Sequence, residues 1–256
     1  MLSDYLILGI AALLAGMVDA VVGGGGLIQV PALFAVYPTA SPPTLLGTGK
    51  MSSIVGTVGA SVRYVRHQPV AWAVVLPAAL AAFLCAAMGA YAITLVPAEP
   101  LRKALPFILL VLLLYMLRKK DLGLVHQPRH NVAQQRRIAT GGGALVGFYD
   151  GILGAGTGAF LKLLFVRGLG FDFLTAAAPA KLVNVGANLG ALLVFGFKGH
   201  IWWALGAWMM LNNFIGGQIG SWFAIKKGAH FIRVVFIAVV GALIVKTFFD
   251  AFIKTS

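Results

Sequence analysis

Acidic residues are scarce in this chain: seven among 256. Charged residues of either sign make up only 11%, against about 25% in soluble domains. With 60% hydrophobic residues, that shortage excludes an ordinary soluble domain and leaves little room for a separate one. It points to a polytopic membrane protein. Cysteine occurs once, as Cys85, which excludes an intrachain disulfide and a thiolate metal cluster. In its apolar run Cys85 reads as a packing residue. The histidines His67, His126, His130, His200 and His230 fall in loops or at helix ends, without HExxH or paired metal spacing. No metal site and no cofactor are expected. No nucleophile–base arrangement stands out, so no enzyme activity is expected. The start, Met1-Leu2-Ser3-Asp4-Tyr5, has no basic n-region. It reads as a first membrane helix rather than a cleaved signal peptide.

What the chain does have is basic charge, glycine and a repeat. The net charge of +13 lies mostly in short segments between apolar runs. Positive-inside bias and lipid headgroups account for it there. No aromatic-interleaved basic patch appears, so nucleic acid is not an expected partner. Apolar segments fall near 5–36, 44–65, 70–96, 101–117, 138–167, 173–197, 200–225 and 230–253. The long polar stretch at 118–137 is strongly basic and reads as a cytoplasmic linker. It divides the chain into a first membrane half, 1–117, and a second, 138–256. Glycine occurs 32 times; it lets membrane helices approach closely and break.

The halves repeat one pattern. Gly16-Met17-Val18-Asp19, followed by Gly23-Gly24-Gly25-Gly26, returns as Gly147-Phe148-Tyr149-Asp150, followed by Gly154-Ala155-Gly156-Thr157. The shift that carries Asp19 onto Asp150 also carries Lys50 onto Lys181, 131 positions in each case. Gly59 maps to Gly190, Trp72 to Trp203, Gly89 to Gly220 and Arg102 to Arg233 at the same shift. Internal duplication of this kind is a mark of secondary transporters.

The first segment of each half is too long. A continuous helix over 5–36 would measure about 48 Å, and the hydrocarbon core is about 30 Å. A break is expected at 23–26 and again at 154–158. If the broken segment crosses, each half has four crossings and the halves are parallel. If it is re-entrant, each half has three and the halves are inverted. With Lys50, Lys162 and Lys181 set aside as intramembrane, 17 basic residues remain. The crossing arrangement puts 11 inside and 6 outside, the re-entrant one 12 and 5. The balance tips slightly to inverted repeats.

The candidate site follows from the repeat. A lysine at mid-depth costs roughly 2.5–3.5 kcal/mol on insertion scales, so Lys50 and Lys181 need partners or a task. The structural alternative is snorkelling near a helix end. Asp19 and Asp150, one turn before each break, are their natural counter-ions. They either fix the broken helix or relay a proton; the sequence leaves both open. Half-helices starting after Gly23, Gly24, Gly25 and Gly26, or after Gly154, Gly156 and Thr157, present N–H groups and a positive dipole end to an anion. The alternative is that these glycines only permit close packing. The small polar residues Thr48, Ser52, Ser53, Asn184 and Asn188 sit beside the lysines; Ser53 and Asn184 share their face. Gln29 and Thr157, at the breaks, are weaker candidates.

These motifs, with Thr48-Gly49-Lys50 and Lys181-Leu182-Val183-Asn184, resemble the TauE/SafE sulfite exporter family, also called the 4-toluene sulfonate uptake permease family. The likeness covers nearly the whole chain and is strongest to the bacterial YfcA-like members. It implies an inner-membrane, multi-pass transporter of sulfur-containing or organic anions such as sulfite, sulfoacetate or sulfonates. The expected fold is an all-α transmembrane bundle of about eight segments in two homologous, inverted repeats. Expected partners are a small anionic substrate and membrane lipid, and the pattern leaves room for a homodimer. A passive anion channel and a non-transporting scaffold or sensor are the alternatives. The second glycine motif is the poorer in glycine, so the halves need not contribute equally.

Overall fold

The computed structural model describes residues 2–97, 107, 130–172 and 174–227. The apolar segments near 101–117 and 230–253, Arg102 and Arg233, and the linker up to residue 129 lie outside the described residues. Every described element is a helix. In chain order these are α1 (Leu2–Val21), α2 (Gly26–Val36), α3 (Pro42–Val65), α4 (Trp72–Ile93), α5 (Val132–Ile152), α6 (Thr157–Leu163), α7 (Ala177–Phe197) and α8 (Trp203–Lys227). A wider π turn, Leu164–Gly168, continues α6.

Local sequence accounts for the boundaries. Pro42 and Pro43 open α3, where a missing N–H costs nothing. Asn131 and Gln134 close a reciprocal capping box at the start of α5. Glycines in the left-handed region end the two helices that had to break: Gly23, at φ +86°, after α1 and Gly154, at φ +74°, after α5. A side chain is strained there, and glycine is not. α1, α4 and α7 are long and apolar enough to cross a membrane. At 20 residues α1 spans about 30 Å.

Glycine contacts fix the direction of each helix. α1 and α8 advance together: the Trp208 indole donates to the Tyr5 carbonyl at 2.8 Å, Gly16 abuts Asn213, and Gly220 abuts Met17. α4 and α5 also run together, with Gly143, Gly147 and Gly151 against Ala78, Ala82 and Ala86. α4 runs with α7 through Gly186 and Gly190, and α3 with α8 through Gly56 and Gly59. α3 and α7 oppose each other. Gly47, near the start of α3, meets Phe195 near the end of α7. Tyr64, at the end of α3, packs with Ala177 and Ala178 at the start of α7. Thus α1, α3 and α8 point one way, and α4, α5 and α7 the other.

These seams leave no room for a methyl group. A Cβ on Gly151 would collide with the Ala86 carbonyl and stand 2.6 Å from the Ala90 nitrogen. Gly151→Ala is expected to force α4 and α5 apart and destabilise the protein by about 1–3 kcal/mol. Gly141, with nothing within 4 Å of an added Cβ, provides the control. A melting comparison in detergent checks the pair: G151A melts well below wild type, and G141A does not.

Candidate functional site

The two helix breaks meet. The Ala159 N–H, in the first turn of α6, donates to the Gly23 carbonyl at 2.9 Å. A Cβ on Gly158 would lie 2.7 Å from Gly23 Cα, and one on Gly26 would lie 2.7 Å from the Gly154 carbonyl oxygen. Only glycine lets four chain segments approach this closely. The last turns of α1 and α5 thereby carry Asp19 and Asp150 to a common centre.

Two buried ion pairs flank that centre. Lys50 Nζ, from α3, lies 2.5 Å from Asp150 Oδ2 of α5. Lys181 Nζ, from α7, pairs with Asp19 Oδ2 of α1 and also donates to the Asp19 carbonyl. Each lysine therefore takes the acid from the other side of the linker. Lys50 and Asp150 are 8% and 2% exposed, and Lys181 and Asp19 are 1% and 16%. The more open carboxylate, Asp19, also accepts from Thr57 Oγ1 at 3.4 Å.

Between the pairs lies a cavity of about 40 Å³. Asp19, Gly23, Gly25 and Gly26 line it from the first break. Asp150, Gly154 and Thr157 line it from the second, and Lys50, Ser53, Asn184 and Asn188 from α3 and α7. Among the described residues, the buried Thr157 and Ser52 hydroxyls have no hydrogen-bond partner. A buried hydroxyl without a partner loses the hydrogen bond it would make to water. At the wall of a cavity, Thr157 is a donor ready for an anion or a water.

Five expected residues, Lys181, Thr48, Ser52, Gly24 and Gly156, stand off the cavity wall. Lys181 sits behind Asp19. Thr48 Oγ1 donates to the Thr44 carbonyl at 2.7 Å and accepts from the Trp202 N–H at 3.0 Å, tying α3 to the loop before α8. The Gly24 carbonyl accepts from Leu27, and that of Gly156 from Ala159 and Phe160. Some first-turn N–H groups of the half-helices are thus already bonded within the protein.

Other residues join the site. Gln29, Thr57 and Asn213 line the cavity. Gln29 donates to the Gly49 carbonyl at 2.8 Å and accepts from Asn213 at 3.2 Å. Thr57 was within reach of sequence reasoning, since the 131-residue shift carries it onto Asn188. Asn213 was not, because the same shift pairs it with Ala82. Lys162, 2% exposed, donates to the Val21 carbonyl at the C-terminal end of α1, where a cation is favoured by the helix dipole. Its counterpart at the shift is Pro31. Among the described residues no cluster of three or more His, Cys, Asp or Glu side chains could hold a metal ion.

Known proteins place the chain. The family described as "Sulfite exporter TauE/SafE" matches residues 8–247. A "Probable membrane transporter protein ORF9" of Sinorhizobium sp is 39% identical over 242 residues, covering 94% of this chain and 91% of that protein. "Probable membrane transporter protein YfcA" of Escherichia coli K12 is 34% identical over 249 residues, covering 96% and 91%. A "Probable membrane transporter protein" of Haemophilus influenzae is 34% identical over 220 residues, covering 86% and 84%. No solved structure matches the chain. With the family match spanning nearly its full length, the chain belongs to the TauE/SafE sulfite exporter family.

Proposed function

We propose that this protein is a secondary transporter of a small oxyanion of the sulfite or carboxylate class, working by alternating access in the bacterial inner membrane. The observation that carries the reading is the cavity at the meeting of two helix breaks, flanked by crossed Lys–Asp pairs. Lys50 and the Thr157 hydroxyl supply positive potential and a donor at its wall. Ser53, Asn184 and Asn188 add neutral polar groups. One water takes roughly 10–15 Å³ on a comparable measure. A cavity of about 40 Å³ therefore suits an ion of a few heavy atoms and is too small for an aromatic sulfonate in this conformation. The names of the relatives, all probable membrane transporters, agree with transport.

The helix bounds and directions support a duplicated, inverted architecture. Shifted by 131, α1 falls on α5, α2 on α6 with its π turn, α3 on α7 and α4 on α8. α1, α3 and α4 each point opposite to their counterparts α5, α7 and α8, and the pairing of α1 with α8 mirrors that of α5 with α4. α1 and α2 then form a hairpin that enters and leaves on one side. Crossed ion pairs are what a two-fold axis in the membrane plane produces. Rocking of one unit against the other would open the shared cavity to either face. Among the described residues, Arg63, Arg66, Arg136, Arg137 and Arg167 lie toward the face where α3 ends and α5 begins, against Lys198 on the opposite face. The positive-inside rule makes the arginine face, and with it the 118–137 linker, cytoplasmic. Asp19, the more open acid, is the better placed of the two carboxylates to exchange a proton with the cavity.

Initial rates of sulfite uptake into proteoliposomes, measured against concentration, test the reading. A transporter saturates. A rate that rises linearly without limit would establish the passive channel instead, and no flux of any small anion would leave a scaffold or sensor.

A further inference from the structure

A second site lies away from the cavity, at the ends of α3 and α8. On α3, Gly59 lies three residues before Val62 and four before Arg63, and Arg66, just past the helix end, lies three beyond Arg63 and four beyond Val62, so all four share one face. Phe214, Gln218 and Trp222 do the same on α8, at spacings of four. Together with His67 they line an open cleft of about 640 Å³. Gly59 brings the helices together, since a Cβ there would stand 2.6 Å from Gln218 Nε2 and 2.8 Å from Phe214 Cε2.

The cleft is graded along its length. Its inner end, at Gly59 and Phe214, is apolar. Val62, Phe214 and Trp222 are 45%, 37% and 44% exposed, so its walls face outward. At its outer end stand Arg63, Arg66 and His67. The Arg63 guanidinium is anchored: it donates to the Gln218 carbonyl at 3.2 Å and to Gln218 Oε1 at 2.7 Å. A guanidinium has five N–H donors, so several remain for a ligand. Arg66 and His67 are exposed beside it.

The other half of the chain supplies an internal comparison. At the 131-residue shift Arg63 becomes Val194, Arg66 becomes Phe197 and Trp222 becomes Tyr91. Among the described residues there, the cation is Lys198, held 4.5 Å above the Tyr91 ring. Two arginines at the mouth of an apolar groove are thus a property of one end of the molecule and not of the repeat.

We propose that this cleft binds an anionic phospholipid, with an acyl chain along Val62 and Phe214, Trp222 at the headgroup level, and the phosphate on Arg63 and Arg66. The order from apolar to cationic along the groove is the order from tail to headgroup in the lipid. Arginine's fork matches phosphate oxygens, and tryptophan favours the headgroup level. The orientation proposed above places the site in the cytoplasmic leaflet, whose anionic lipids attract basic side chains. Binding itself does not depend on the transport reading.

Native mass spectrometry of the full chain in neutral detergent tests this, with phosphatidylglycerol and phosphatidylcholine of identical acyl chains. Wild type is expected to retain phosphatidylglycerol at least tenfold better. Arg66→Gln is expected to weaken that retention about fivefold, and R63Q/R66Q about twenty-fivefold, from roughly one surface-charge interaction per arginine. Lys198→Gln should change nothing. Equal retention of the two lipids by wild type would overturn the proposal. So would wild-type retention by R66Q, which carries the test if R63Q/R66Q does not fold. Full displacement of the lipid by millimolar inorganic phosphate would also overturn it, by showing that the apolar walls contribute nothing.

Discussion

Lys50→Met is expected to lower sulfite flux in proteoliposomes by at least about a hundredfold, and Lys181→Met to do nearly the same. Lys50 is the cation on the cavity wall. Its removal takes away the attraction for the anion and leaves Asp150 uncompensated. Charge interactions in a partly buried site are several-fold stronger than in water. A change of one wall from neutral pair to lone carboxylate is therefore worth several kcal/mol against an anion, and each 1.36 kcal/mol is a factor of ten. Lys181 acts differently, because it lies behind Asp19 and off the wall. Lys181→Met releases Asp19, which already opens toward the cavity at 16% exposure. The two variants separate in kinetics: K50M mainly raises KM, whereas K181M lowers kcat as well by freeing the end of α1. Wild-type flux in both would remove the proposed roles of the lysines.

Asp150→Asn is expected to cost about 3–5 kcal/mol of stability, because it strands the buried Lys50 without a counter-charge. Asp150 is 1% exposed as a residue, and Tyr149, beside it, anchors the break through a hydrogen bond to the Ala155 carbonyl. Loss of the pair loosens the turn on which α6 is hung. Lys50→Met combined with Asp150→Leu restores most of that stability, since an apolar pair of similar volume replaces the ions without a desolvation cost. Thermal denaturation of the three proteins in one detergent checks the series. A stable D150N would mean that the pair contributes little to the fold.

The frame of the molecule was readable from residue order, and its neighbours were not. The excess length over 5–36 called for a break, and Gly23, at φ +86°, supplies it. The 131-residue shift identified Asp19, Lys50, Asp150 and Lys181 as a set. A shift says which residues are equivalent; it does not say which ones touch. The exchange of partners, Lys50 with Asp150 and Lys181 with Asp19, follows from helix direction, which periodicity does not encode. Thr48 has the right type and place for a ligand, yet its hydroxyl is engaged by Thr44 and Trp202. Asn213 entered the site through the packing of α8 on α1 and α3, where Gly16 and Gly56 admit it. The 131-residue shift puts Ala82 at its counterpart in the other half, so the pattern that exposed the lysines concealed it.

The most direct test of the account is anion-dependent stabilisation of the wild type and of K50M/D150L. A ligand that binds the folded state stabilises it by RT ln(1 + [L]/Kd). The wild-type melting temperature should climb steadily with sulfite above Kd, while the double variant, folded but without charge on that side of the cavity, should not respond. An unchanged sulfite response in K50M/D150L would contradict the claim that the anion binds between the crossed ion pairs.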